Sequence, residues 1–455
     1  MAPVTSAEVS RSDLLQVIGA SVLVALPISL VAMGFLALVT TIQTWVWQTA
    51  PADLGLSATP WWWPMPWLIL AGLLVALAIA LLPGKGGHIP ANGTGGGATP
   101  PAFVLGVFIA ALAGLPLGVV LGPEAPLIAI GTGLAVWLSR LTHLSPHGRL
   151  EALIGTAGAA AAISVILGSP LTAVVFLAEA VAIIGGPVIA ATIPAILGVG
   201  VGALLYSGLG SAPGIQAQSL QLVKLDSVPT PDLGDLLWAI PVGVLAAIVM
   251  TVVFRAGRTV ADRVGPLGRP QLILATMTVG LLVAACASAY ALVTGRNPFD
   301  VASSGTATLQ AITSNPSSWS ASALVALLVF KGLGYALSLG AFRGGPIFPA
   351  IMLGGALGVL IAPLPGLGIA GGLAVGMAAF AAASMKMPLS SVALTLLLFG
   401  PNASGVFPEV ALAAVTAYAV RMALDKRASG TAKDAVDGAS ASAAHTIPPT
   451  GEAAR

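Results

Sequence analysis

Between residues 103 and 138 the chain carries one charged side chain, Glu124, in the stretch Leu121-Gly122-Pro123-Glu124-Ala125-Pro126. A carboxylate at membrane depth costs about 2.5–3.5 kcal/mol on insertion scales, so its presence there calls for a reason. Its neighbours interrupt a helix. Gly122 and Pro123 end the preceding segment, and Pro126 suits the first turn of a new one, where its missing N–H costs nothing. Glu124 is therefore expected at a helix start, where free N–H groups and the helix dipole favour an anion. The stretch alone admits two readings: an acid that caps a buried helix, and an acid with a function.

That the surroundings are a membrane follows from composition. The chain is 57% hydrophobic and 7% charged, against roughly 25% charged in soluble proteins. A spanning helix takes about 20 apolar residues, and the apolar blocks leave room for about ten or more segments, several of them short. The net charge of +2 identifies no partner. The one cysteine, Cys286, lies in an apolar run, reads as a small buried hydrophobe and excludes a disulfide framework. The first apolar run, 14–39, is too long for a signal-peptide core and is expected to stay as a helix. The glycine-rich run 92–97 lacks the Lys-Ser/Thr of a phosphate loop. His88, His143, His147 and His445 form no metal-ligand set and pair with no nucleophile in the pattern. An enzyme, a cofactor, a metal and a nucleic-acid partner are accordingly not expected.

The expected organisation is a polar lead at 1–13, a membrane domain at 14–424 and a disordered Ala/Ser/Gly-rich tail at 425–455. Six of the nine tryptophans (Trp45, Trp47, Trp61, Trp62, Trp63 and Trp67) fall between 45 and 67. They read as an interfacial belt on the non-cytoplasmic side. Arg255, Arg258, Arg263 and Arg269 stand against Asp262 in one loop, which the bias of Lys and Arg places in the cytoplasm. Both termini are then cytoplasmic, in a multi-pass protein of the cell membrane.

The two halves of the domain repeat one another. Ala159 to Ser164 precede Ser169-Pro170-Leu171, and Ala381 to Ser384 precede Met387-Pro388-Leu389, with Pro170 and Pro388 218 apart. The Glu124 stretch is matched by 345–358, with Pro126 and Pro349 223 apart. Repeat one covers about 14–207, a polar linker 208–235 and repeat two about 236–424. The expected fold is an all-α integral membrane protein of two inverted-topology repeats, with many tilted, broken and re-entrant helices. Paired, proline-broken apolar segments place a site between the repeats, built from helix ends near the midplane. Irregular backbone survives there only where it lines a protein-buried or watery cavity. Three breaks (86–90, 122–126 and 344–349) can supply helix N-termini, and N-termini converging on one cavity select anions.

At these residues the sequence resembles the CLC family of chloride channels and chloride/proton antiporters, over roughly 14–425. Gly122-Pro123-Glu124-Ala125-Pro126 is similar to the family's G-[KR]-E-G-P, and Gly86-Gly87-His88-Ile89-Pro90 to G-S-G-I-P. Gly168-Ser169-Pro170-Leu171 through Glu179 resembles N-A-P-L-A-G-x-L-F-x-x-E. Lys331 through Gly345-Pro346-Ile347-Phe348-Pro349 resembles K…G-G-x-F-x-P, and Met387-Pro388-Leu389 the second A-P-L. The resemblance implies that Glu124 is the gating glutamate, competing with chloride for the pore. It implies chloride ligands among the backbone amides of Gly87, His88, Ile89, Ala125, Ile347 and Phe348, and a homodimer with one pore in each subunit. The chain departs from the pattern at several places. Gly87 replaces a serine ligand, Pro123 a basic residue, and Pro346 stands where an amide donor is expected. Ala180 stands where the antiporters carry a second glutamate, and no residue matches the C-terminal pore tyrosine.

These departures favour a chloride channel, with a chloride/proton antiporter or another anion such as fluoride as alternatives. Glu179 reads as a structural acid on an apolar helix or as a proton acceptor. Lys331 and Lys386 are expected to snorkel or to pair internally. His88 is expected at an exposed interface, and Arg343 either raises the potential at the anion site or serves the fold.

Overall fold

The computed structural model describes residues 11–93, 99–142, 148–185, 188–209 and 233–444. Much of the glycine-rich run, the histidines of the basic loop, most of the polar linker and the end of the tail lie outside these residues. The described chain is helical. In the first half, α1 (Arg11–Thr44) continues through a π-helical turn into α2 (Ala50–Asp53), followed by α3 (Pro64–Leu81) and α4 (Val104–Gly114). Then come α5 (Glu124–Leu141), α6 (Gly148–Leu167), α7 (Pro170–Ile183) and α8 (Val188–Leu209). The second half contains α9 (Leu233–Val264), α10 (Arg269–Thr294), α11 (Thr306–Ser314), α12 (Ala321–Ala341) and α13 (Ile347–Ile361). It closes with α14 (Gly368–Met385), α15 (Pro388–Phe399) and α16 (Phe407–Ala444). Among the described residues, eight helices are long and apolar enough to cross a membrane, and five shorter apolar helices accompany them.

The duplication read from two proline pairs recurs in the packing. α5 packs on α6 as α13 packs on α14, α6 on α8 as α14 on α16, and α1 and α9 each lie against the corresponding pair. Corresponding helices also meet across the halves, α3 against α10 and α7 against α15. The two halves are inverted repeats, as the sequence pattern predicts. Lipid tails are as apolar as leucine, so helices in a membrane associate by close approach of backbones at small residues. Glycines mark the contact in both halves. A Cβ on Gly131 would strike the Gly158 carbonyl and one on Gly158 the Gly131 carbonyl; Gly354 and Gly376 stand in the same reciprocal relation. Gly131 and Gly354 are 223 apart and Gly158 and Gly376 are 218 apart, the two offsets of the motif prolines.

Polar side chains inside this core are individually accounted for. Lys331, fully buried, donates from Nζ to four successive carbonyls, those of Asp300 (3.2 Å), Val301 (2.9 Å), Ala302 (3.3 Å) and Ser303 (3.3 Å). Lys386 pairs with Asp425 at 2.5 Å. Both lysines thus pair inside the protein. The tryptophans divide. Trp45, Trp61 and Trp62 are exposed, whereas Trp47 and Trp63 are buried and donate to the carbonyls of Pro116 (3.1 Å) and Val46 (2.9 Å). The segment expected as a disordered tail continues α16 as far as Ala444; its many alanines carry a high helix propensity.

Gly376→Leu is expected to force α13 and α14 apart and destabilise the fold by about 1–3 kcal/mol or more. Gly332→Ala, at a position with nothing within 4 Å of an added Cβ, leaves it unchanged. Thermal denaturation of the two purified variants in detergent checks the contrast.

Candidate functional site: Glu124 between two helix starts

The chain reaches the site by leaving helix. After α4 it turns at Gly118, whose φ of +111° an L side chain rarely adopts, and runs on to Gly122. Gly122 and Gly345, 223 apart, form an antiparallel bridge: the Gly345 N–H donates to Gly122 O (2.6 Å) and the Gly122 N–H to Gly345 O (2.8 Å). The two breaks singled out in the sequence are therefore hydrogen-bonded to one another. Each then opens a helix, α5 at Glu124 and α13 at Ile347.

Glu124 is the first residue of α5, yet its side chain reaches the other repeat. Oε1 accepts the Ile347 N–H at 2.6 Å, and the carboxylate also faces the amides of Phe348 and of Glu124 itself. Two helix N-termini thus converge on one anionic group. Each supplies free N–H donors and the positive end of a helix dipole, which is what a carboxylate out of water requires. The side chain is 1% exposed, and Oε2 has no hydrogen-bond partner among the described residues. Pro346, which has no N–H, offers its carbonyl instead, held by the hydroxyls of Tyr335 (2.5 Å) and Ser384 (3.2 Å). The only signal of these two hydroxyls in the sequence is a tyrosine and a serine in largely apolar helices.

One cavity borders Glu124 and a larger one borders its neighbours Pro123 and Phe348. A cavity of about 200 Å³ is lined by α1 residues such as Thr40 and Gln43, by Ser303 and Thr306, and by Pro123 and Phe348 beside the gate. A cavity of about 10 Å³ includes Glu124, Thr172, Phe176, Ile347, Phe348 and Ser390 in its wall. That volume is on the order of one water. Ser390 in turn meets Glu179, whose carboxylate accepts from Ser390 Oγ (2.5 Å), Ser390 N (2.7 Å) and Leu389 N (3.1 Å). Glu179, on α7, therefore caps the start of the corresponding helix α15.

The remaining expected residues are distributed more widely. Ala125 lies in the first turn of α5, next to the gate in the chain. Gly87, His88 and Ile89 form a separate turn. Among the described residues it leads only into the single 3₁₀ turn Pro90–Asn92, so the expected third helix start is missing there. Gly93, with a φ of +109° that an L side chain rarely adopts, ends that turn. His88 is exposed and shares Nε2–H with Gly93 O at 3.1 Å. Partial burial, opposed by the Gly93 bond and helped by the charge of Arg343, holds its imidazole below the ordinary range. Arg343 is buried and spans from the second break to this turn, donating to Lys85 O (3.2 Å) and Phe342 O (3.0 Å). The two parts of the expected anion site are linked through this guanidinium.

A helical membrane protein whose opposed helix ends hold a buried acid has the architecture of an anion transporter. The sequence profile of the family described as voltage gated chloride channel matches residues 88–422. The chain belongs to that family. Local similarity links it to the ion-transport protein YfeO of Escherichia coli O17:K52:H18 and of Escherichia fergusonii, each 33% identical over 154 residues. Each match covers 31% of this chain and 37% of the relative. Its fold is similar to that of a slow cyanobacterial Cl⁻/H⁺ antiporter (TM-score 0.71, 17% identity, 91% of this chain and 98% of the other). It is also similar to a CLC-type fluoride/proton antiporter (TM-score 0.64, 17% identity, 90% and 96%).

A Cβ on Gly345 would fall on the Glu124 carboxyl. Gly345→Ala is therefore expected to push the side chain off the Ile347 amide and to change anion flux as strongly as removal of the acid does. Comparing flux of Gly345→Ala and Glu124→Gln in liposomes checks this, and wild-type flux from Gly345→Ala would refute it.

Proposed function

We propose that the chain is a chloride channel of the cell membrane, with a Glu124-gated pathway in each subunit of a homodimer and both termini in the cytoplasm. The observation that carries this is the buried carboxylate of Glu124 on the first amide of α13, in the wall of a small cavity. A halide and a carboxylate are interchangeable occupants of a helix N-terminal anion site. Displacement of the side chain, by a competing anion or by protonation, leaves the amides to chloride. Lost charge at the gate is thus expected to favour conduction, and flux is expected to rise as the pH falls.

A second reading, proton-coupled exchange, is favoured by one specific feature. The 10 Å³ cavity has both Glu124 and Ser390 in its wall, and Ser390 Oγ is bonded to Glu179. Ser390, from the second repeat, thus stands in the wall of the cavity at Glu124 and on Glu179, two carboxylates of the first repeat, despite Ala180. The solved antiporters of similar fold support the same reading, and the fluoride/proton antiporter among them keeps a smaller halide in view as the transported ion.

Reconstitution into liposomes with chloride and pH recorded together separates the readings. A channel moves chloride without driving protons uphill, and Glu124→Gln flux is independent of pH. In an exchanger, Glu179→Gln abolishes proton movement while chloride flux persists. A chain that passes neither chloride nor fluoride would refute the transport assignment.

A further inference from the structure

A group of cations that the gate does not use surrounds the turn at 83–93. Arg343 holds Lys85 O, and Arg258, from α9, donates to Ala91 O at 3.1 Å. Arg421, from α16, faces Arg258, Asp425 and Tyr335. Its guanidinium carbon stands 5.1 Å from the centroid of the Phe254 ring. Lys386 joins the group through Asp425. Asp425 is the acid that the ion pairs of this group share, bonded to both Lys386 and Arg421.

Arg421 is the unusual member. It is 1% exposed, its Nε lies 3.5 Å from Asp425, and its Nη1 has no hydrogen-bond partner among the described residues. A buried guanidinium N–H left without an acceptor is costly, more so than a neutral one, and calls for an acceptor from outside the protein. The residue is also joined to the gate by contacts. The Phe254 ring lies edge-on to Tyr335 at 6.3 Å, the Tyr335 hydroxyl holds Pro346 O, and the next residue, Ile347, holds Glu124.

We propose that Arg421 Nη1 binds a small monovalent anion, forming a second anion site on the basic side of the Glu124 gate. Phe254 backs the guanidinium, which presents its free N–H to the anion. Arg258 adds positive potential, and Asp425 competes with the anion for the same cation. This inference builds on the anion-transport reading and adds a ligand that neither break in the sequence supplies.

Two variants with opposite expected signs test it, in bilayers with chloride varied on one side at a time. Arg421→Met raises the half-saturating chloride concentration on the basic side about tenfold or more. It leaves the opposite side unchanged. Asp425→Asn lowers the basic-side value about threefold, the scale of a partly exposed ion pair. Anomalous diffraction from bromide-soaked crystals shows a peak at Arg421 in the parent and in Asp425→Asn. If both variants impair flux alike from both sides, Arg421 is a structural ion-pair partner and the proposal falls. It falls also if bromide leaves no peak at Arg421. Should Arg421→Met not fold, the sign of the Asp425→Asn shift and the bromide peak still decide. Bromide bound at Arg421 in a chain that moves no halide would overturn the transport reading and leave this site standing.

Discussion

One hydrogen bond across the repeat interface, from the Ile347 amide to the Glu124 carboxylate, sits where the fold and the site depend on each other. Its partners are 223 residues apart, the offset that also separates Gly122 from Gly345, Pro126 from Pro349 and Gly131 from Gly354. Glu124 is therefore bonded to its own counterpart, and the contact lies on the axis relating the two halves. An acid at both positions would bring two negative charges into contact in a low-dielectric interior, where like charges oppose joint ionisation. A single carboxylate against an amide avoids that conflict. The Glu124–Ile347 contact is in this sense a place where two similar repeats differ.

The remaining structure keeps irregular backbone tolerable at that depth. Close glycine contacts between α5 and α6, and between α13 and α14, bring backbones together without relying on hydrophobic burial. The carbonyls exposed at breaks find buried donors: Lys331 serves four of them, Arg343 two, and Tyr335 with Ser384 the carbonyl of Pro346. Glu179 performs the reverse service, an acceptor for two amides at the start of α15. In each case a break in one repeat is closed by a residue from elsewhere in the chain, as a membrane interior without water demands.

Much of this was legible in the sequence because it is local. An isolated acid, a proline at a helix start and a repeated spacing each concern a few neighbouring residues, and they led to the Glu124 break, its partner and the two-fold plan. Where the outcome differed, the cause was tertiary or compositional. Trp47 and Trp63 look like the rest of the aromatic belt but turn inward, because Pro116 O and Val46 O lie within reach of their indole N–H groups. The turn at Gly87 opens no long helix among the described residues, because Gly93 ends the turn that follows it. Arg421 went unnoticed, since a basic residue near the end of an apolar helix reads as an ordinary interfacial cation until its burial is seen.

The chain's own pattern determined that it is a helical membrane protein, that it is duplicated, and that Glu124 stands at a helix start in the apolar interior. These follow from periodic hydrophobicity, proline chemistry and the cost of burying charge, all properties of short stretches. Which helix end the carboxylate occupies was decided only by the tertiary structure. So was the choice of donors for each broken carbonyl, and so was the isolation of Arg421 from an acceptor. Those outcomes depend on distances between residues separated in the chain, by 223 positions for Glu124 and Ile347, and no local pattern encodes them.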